Sequence, residues 1–441
     1  MTFDDKSPPE LELIDGSRPL RHTFSTWLHF VLTLIFTLLK LPFHLTWHYV
    51  LCRRRSPLVS IGRHPLAQIS IVLTKWSFGN TFLPPSRLLY AAQLFLRNDP
   101  WIERIELESG LRAVWVRPPD TERSRDDVVL YWIHGGAFTY DILGANMRFY
   151  KQLARQVNED PARPLQFSIF LLDYHLAPEK MYPSQLIELD AGYRHLTRTL
   201  GLDPAKICLG GDSAGGNLVV SFLLHLAKSN PDLPIDSDPL PRPGSVLLLS
   251  PFLSLVPLPS RPSRVSTLHS SVDCIETPSV TVGAYHYLNL TPPFNAGPSW
   301  NPLRWISLVE PEMPRLGLEM VDPRFRNPYV NPDSEVLREQ HWDWYASALP
   351  QNVCIVYGGM EVLVDDIKAF VAALRRVGLD PTEVLEPYKT HDWPMFDYSI
   401  PFCSRNVAGG KGSKNPKHGL EKMAQFLRDA HTEQGSVSFT K

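Results

Sequence analysis

The chain has 441 residues, 44% of them hydrophobic and 20% charged, with a formal net charge of −2. That length suits one large domain with embellishments or two modest ones, and the near-neutral balance excludes a charge-driven partner such as nucleic acid. Cys52, Cys208, Cys274, Cys354 and Cys403 are odd in number and lack CxxC spacing, which argues against a disulfide scaffold and a cysteine-built zinc site.

Residues 1–26 read as a polar tail. From Trp27 to Leu51 the chain runs WLHFVLTLIFTLLKLPFHLTWHYVL, with Arg53, Arg54 and Arg55 directly after it. A helix of that length spans ~30 Å of hydrocarbon, and Lys40, the tryptophans and Tyr49 suit an interface. The acidic residues Asp4, Asp5, Glu10, Glu12 and Asp15, without a small-residue cleavage site, argue against a cleavable signal. A single-pass membrane anchor is expected over 27–51; an interfacial helix and a buried helix are the other readings. Arg18 and Arg21 oppose Arg53–Arg55 across the segment, so topology stays open. The sequon Asn289-Leu290-Thr291 would matter only in a lumenal domain.

Beyond Asp99 strands and helices alternate. Ile102–Glu108 and Leu111–Arg117 predict an antiparallel pair turned at Ser109-Gly110. Val128–Ile133, Phe167–Tyr174, Lys206–Gly210, Ser245–Ser250, Val353–Tyr357 and Glu383–Tyr388 predict further strands, the apolar runs among them covered on both faces. Helices are expected around Asn146–Gln156, Ser184–Leu200, Gly215–Lys228, Asp366–Val377 and Leu420–Ala430. The pattern implies a mostly parallel, doubly wound α/β sheet whose site lies beyond the carboxyl ends of the strands. Residues 60–98 and about 252–348 break the rhythm; the 41 prolines exceed the usual ~5% usage, and many fall between Pro231 and Pro332. Both stretches are expected to form a cap on a catalytic domain spanning 99–433, the second as an insertion.

Gly211-Asp212-Ser213-Ala214-Gly215 satisfies G-x-S-x-G between a short strand (KICLG) and a long apolar helix. That context is what a nucleophile turn requires: flanking glycines permit a tight bend that thrusts the serine hydroxyl above the sheet. His134-Gly135-Gly136-Ala137 follows the strand VVLYWI. Its side-chain-free amides, Gly135 and Gly136, are candidates with the Ala214 amide for stabilising an oxyanion. His134 precedes the serine in the chain and reads as a structural hydrogen-bonder.

With those motifs and Asp173-Tyr174-His175-Leu176-Ala177-Pro178-Glu179, the chain resembles the hormone-sensitive-lipase-like branch of the α/β-hydrolases over roughly residues 100–430. That branch includes arylacetamide deacetylases and steryl acetyl hydrolases. Ala137 stands where many members carry a third glycine, and its amide is still available. The resemblance implies the α/β-hydrolase fold with a helical cap and an N-terminal membrane helix. It also implies a short-acyl esterase for an apolar ester, with location at a membrane, the endoplasmic reticulum being the expected one.

The family pattern places an aspartate where Glu361 stands, which makes Glu361 the implied triad acid. Asp365 is its rival, with a helix-terminal charge as its alternative role. His391 opens HDWPMF directly after the strand EVLEPY and matches the family's H-x-F-like segment; His418 and His431 lie in polar surroundings further on. The constellation Ser213, Glu361, His391 predicts acyl transfer to water with no metal or organic cofactor. Longer-chain lipase, acyltransferase and a non-catalytic binding protein on the same fold are the competing classes, and the oligomeric state is not legible.

Overall fold

In a computed structural model of the chain the described residues are 99–432, except 120–127, 141–143, 160–164, 178, 234–238, 267–268, 270–272, 276, 291–320, 340–341, 400–414 and 416; Leu39 is also described. The expected anchor over 27–51, apart from Leu39, and the expected cap segment 60–98 lie outside these residues. Among the described residues no helix is long and apolar enough to cross a membrane.

Among the described residues eight strands form one sheet: β1 (Ile102–Glu106), β2 (Arg112–Val116), β3 (Val128–Ile133), β4 (Phe167–Asp173), β5 (Ile207–Asp212), β6 (Ser245–Leu249), β7 (Asn352–Gly358) and β8 (Thr382–Glu386). Their order is β1-β2-β4-β3-β5-β6-β7-β8. The pairs β1/β2 and β2/β4 are antiparallel and all others parallel. All six residues of β3 and all five of β6 are buried, as expected of strands with helices on both faces.

Alternation along the strands divides the core. Tyr131, Ile133, Phe170 and Leu209 face helices α2 (Ser184–Arg194), α3 (Ser213–Ala227) and α7 (Val364–Arg376). Leu130, Trp132, Leu171 and Cys208 face α1 (Gly144–Asn158) and α9 (His418–Thr432), with α8 (Trp393–Ser399) contributing Trp393. Burying one such large side chain contributes roughly 1.5–3 kcal/mol, so both helical layers are held by the sheet.

Several boundaries differ by a residue or two from the sequence reading, and two differences have a visible cause. The helix expected over Ser184–Leu200 is regular only to Arg194 and widens into a π-helical turn over His195–Thr199. There Thr197 Oγ1 donates to the Tyr193 carbonyl at 2.9 Å, a side-chain bond that disturbs the regular ladder. The helix expected from Gly215 begins at Ser213, because the chain reverses within one residue. In the proline-rich interval the described helices are α4 (Thr277–Tyr287), α5 (Ser334–Glu339) and α6 (Asp343–Ala348), with short 3-10 turns at Pro262–Val265 and Pro323–Arg326.

A buried ionic cluster ties this interval to the sheet domain. Arg264 Nη1 lies 3.1 Å and Arg261 Nε 3.2 Å from the Asp366 carboxylate, and Arg261 also reaches Glu335 at 3.1 Å. Burial pushes the Asp366 carboxyl up to about 7, although Arg264 and Arg261 pull it back. Arg261 stays beside Asp366 when Arg264 is lost, so the cost falls towards the lower end of the range of about 3–5 kcal/mol that removing one partner of a buried pair carries. Arg264→Met is therefore expected to lower unfolding free energy by about that amount, measured by urea denaturation; a loss below about 1 kcal/mol would show the pair to be dispensable.

Candidate active site

The turn after β5 is made by Ser213 alone, whose φ is +50°. A non-glycine residue in the left-handed region costs energy and concentrates at functional positions. The bend fits because Gly215 has no side chain: a Cβ there would lie 2.0 Å from the Ile133 carbonyl oxygen at the end of β3. The Ser213 carbonyl accepts a hydrogen bond from the Phe252 amide at 2.8 Å. Its hydroxyl has no hydrogen-bond partner among the described residues.

The neighbouring Asp212 is buried, and both of its oxygens are occupied. Trp132 Nε1 donates to Oδ1 at 2.9 Å and the Gly135 amide to Oδ2 at 3.0 Å. Burial raises its carboxyl to about 6 against the pull of those two donors. This corrects the expectation for Gly135: its amide is committed to Asp212 instead of facing an oxyanion. A Cβ on Gly135 would stand 2.4 Å from that same carboxylate, so glycine is required here for close approach.

The next amides are differently disposed. Gly136, Ala137 and Phe138 have φ of +108°, +50° and +65°, which swings the chain away from β3. Among the described residues no acceptor meets the amides of Gly136 and Ala137. The Ala214 amide belongs to the first turn of α3, where helix donors lack intrahelical acceptors. The strained turn is held from several sides. Thr139 and Tyr140 amides donate to the Gly136 carbonyl, the Ala177 amide donates to that of Phe138, and the Phe138 ring stacks on Tyr287 at 4.0 Å. Helix α4 thus sits directly on this turn.

His134 behaves as the sequence suggests. Its Nδ1 is 2.8 Å from the Gly135 carbonyl oxygen, its ring stacks on Tyr174 at 4.2 Å, and Tyr174 donates to its carbonyl.

Glu361 and His391 lie in the loops following β7 and β8. The His391 Nδ1 is 3.0 Å from Glu361 Oε2, and the Gly358 amide donates to Glu361 Oε1 at 3.1 Å. Ser250, in the turn after β6, adds a side-chain hydrogen bond to Glu361, whose carboxyl burial raises nonetheless. The Ser250 hydroxyl also accepts from the Asp392 amide at 3.0 Å. The loops interlock: the Gly359 and Met360 amides donate to the Glu386 and Lys389 carbonyls. Asp365 stands apart from the histidine, in the first turn of α7, where it accepts from the Ser263 amide at 2.8 Å.

On its other side the imidazole meets a second carboxylate, His391 Nε2 being 3.3 Å from Asp392 Oδ2. Among the described residues no hydrogen bond joins the imidazole to the Ser213 hydroxyl. Burial pulls the His391 pKa down, but Asp392, Glu361 and Asp273 outweigh it and lift the group to about 10. The other two histidines are engaged elsewhere, His418 with Glu386 and His431 with Ser245.

A family model described as alpha/beta hydrolase fold matches residues 130–308. The chain is 32% identical over 160 residues to a protein named esterase from Acinetobacter venetianus, covering 36% of this chain and 46% of that protein. It is 30% identical over 183 residues to hormone-sensitive lipase of Homo sapiens, covering 40% of this chain and 15% of that protein. The chain thus spans less than half the length of these curated relatives. Among solved structures, an esterase from the bacterial hormone-sensitive lipase family superposes with a TM-score of 0.56 at 22% identity, covering 83% of this chain and 99% of the other. A mutant of esterase E40 gives a TM-score of 0.53 at 23% identity, covering 76% and 86%; both likenesses are of fold.

Proposed function

We propose that the chain is a member of the hormone-sensitive-lipase-like branch of the α/β-hydrolases and a serine carboxylesterase removing short acyl groups, acetyl foremost, from an apolar alcohol. The observation that carries this reading is the left-handed Ser213 at the head of a helix, with a buried Glu361–His391 pair at the same carboxyl edge of the sheet.

In this mechanism His391 exchanges Asp392 for the Ser213 hydroxyl and takes its proton as Oγ attacks the ester carbonyl. The tetrahedral oxyanion is met by the Gly136 and Ala214 amides, with the Ala137 amide in the place first expected of Gly135. His391 next protonates the departing alcohol, leaving an acyl-Ser213 ester. Water, deprotonated by His391, attacks that ester, and Ser213 leaves with the proton as the acid product is released. Glu361 holds the imidazole with Nδ1 protonated throughout and stabilises its cation. The described part of the interval after β6 borders the substrate's site, α4 being seated on the oxyanion turn. Trp27–Leu51 anchors the enzyme at a membrane, the endoplasmic reticulum, where apolar esters partition; the support is the apolar run flanked by arginines.

Hydrolysis of p-nitrophenyl esters from acetyl to palmitoyl by the detergent-solubilised chain tests the reading. Turnover falling steadily with acyl length is expected. Turnover that rises with length would replace it by a lipase, and folded protein inert towards every member would overturn esterase activity.

A further inference from the structure

Behind the acid and base loops lies a buried carboxylate that the mechanism above does not use. Asp273 precedes α4 and is fully buried. Its Oδ1 accepts from the His391 amide at 3.0 Å and from the Cys274 amide at 2.8 Å, while Oδ2 accepts from the Val362 amide at 2.7 Å. All three contacts are donors; burial raises the carboxyl, and with His391 they pull it down against that. Cys274 completes the arrangement from the other side, its Sγ lying 3.7 Å from the His391 carbonyl oxygen. The main chain of His391 is thereby gripped at both ends, its N–H by Asp273 and its C=O by the Cys274 thiol. The Val362 contact fixes the residue directly after Glu361 to the same carboxylate. One side chain therefore spans the acid loop, the base loop and the lead into α4.

We propose that Asp273 is the positioning residue of the site: with Cys274 it sets the His391 backbone against the Glu361 loop, couples both to α4, and supplies negative charge behind the imidazole. This rests on His391 acting as the base. A fixed backbone is needed because a displacement of about 1 Å in a catalytic group costs on the order of 100-fold in rate. The charge acts in company. His391 faces Glu361 from the β7 loop, Asp392 beside it, Asp212 at the end of β5 and Asp273 from the lead into α4. Lys389, the nearby cation, is paired with Asp397 at 2.6 Å. Asp273 meets His391 through one main-chain hydrogen bond, from the His391 amide, and does not touch its ring nitrogens.

Asp273→Asn keeps the shape, removes the charge, and sets an N–H₂ group against backbone N–H groups. Its kcat on p-nitrophenyl acetate is expected to fall about 10- to 100-fold with KM within about threefold, in protein that melts cooperatively. The acidic limb of kcat/KM should also move to lower pH, because an imidazolium with one fewer carboxylate loses its proton more readily. A purely structural role would change yield and melting temperature but leave that limb in place. Cys274→Ala should lower kcat several-fold with KM unchanged, and Cys274→Ser, which restores a donor, should recover it. Folded Asp273→Asn with wild-type kcat and pH profile overturns the proposal. So does a failure of Asp273→Asn to fold combined with wild-type kinetics in Cys274→Ala. The parent reading is tested apart from this: activity surviving in His391→Ala would remove the base itself, whatever the Asp273 variants do.

Discussion

Ser213→Ala is expected to lower kcat for p-nitrophenyl acetate by about 10⁴-fold or more, the scale on which removal of a covalent nucleophile acts. Folding should survive the change. The Ser213 hydroxyl meets no partner among the described residues, and the bond from the Phe252 amide goes to its main-chain carbonyl, which alanine retains. Alanine adopts the left-handed φ of +50° at a strain comparable to serine, so the change in unfolding free energy should stay within about 1 kcal/mol. The measurement is steady-state hydrolysis alongside a thermal melt of each protein. Near wild-type turnover in the variant would remove Ser213 as nucleophile, and collapse of the melt would show that the hydroxyl serves the fold.

The strands are legible because VVLYWI and SVLLL are too short and too continuously apolar to be surface helices, and turn signals bound them. Their spatial order is less so. β2 lies between β1 and β4 and runs antiparallel to both; the Ser109-Gly110 turn reveals the first pairing, whereas the second depends on a contact far along the chain. Ser213 is legible from its glycines, since the crossing of α3 by the end of β3 leaves room only for Gly215. His391 and Glu361 are legible as residues directly after strands, where the fold gathers side chains at one edge.

What surrounds them is harder to read. Ser250 looks like the last letter of a buried strand, Asp392 like an ordinary loop charge, and Asp273 lies in a stretch without periodicity. Each acquires its role because loops from β6, β7 and β8 and the lead into α4 converge on one imidazole. No local pattern encodes that convergence. Gly135 illustrates the same limit: a glycine after a strand suits an oxyanion site, yet a buried carboxylate from the end of β5 takes its amide.

Glu361→Gln is expected to lower kcat by about 10⁴-fold, as loss of the orienting carboxylate does in a serine triad. Glutamine offers one acceptor and one N–H₂ group where the carboxylate meets the Gly358 amide on one oxygen and His391 Nδ1 on the other, with the Ser250 hydroxyl beside them. If the N–H₂ faces Nδ1, the imidazole must carry its proton on Nε2 and cannot receive one from Ser213. If it faces Gly358, two donors oppose each other in a dry site. The pH dependence adds a second readout. Burial lowers the His391 pKa, but Asp392, Glu361 and Asp273 outweigh it and lift the group to about 10, so wild-type kcat/KM should keep rising through the alkaline range as the base becomes neutral. Residual activity in Glu361→Gln should reach its plateau at lower pH. Stability follows the same sign. A histidine whose folded pKa lies above its unfolded value of about 6.5 contributes stability that is present below that value and lost as pH rises through about 10. The wild-type melting temperature should therefore decline across that window, and the Glu361→Gln decline should be shallower. Asp365→Asn is the control, because Asp365 is bound to the Ser263 amide at 2.8 Å and does not meet the imidazole; its kcat should stay within about threefold of wild type. A large loss there with Glu361→Gln active would transfer the acid's role to Asp365.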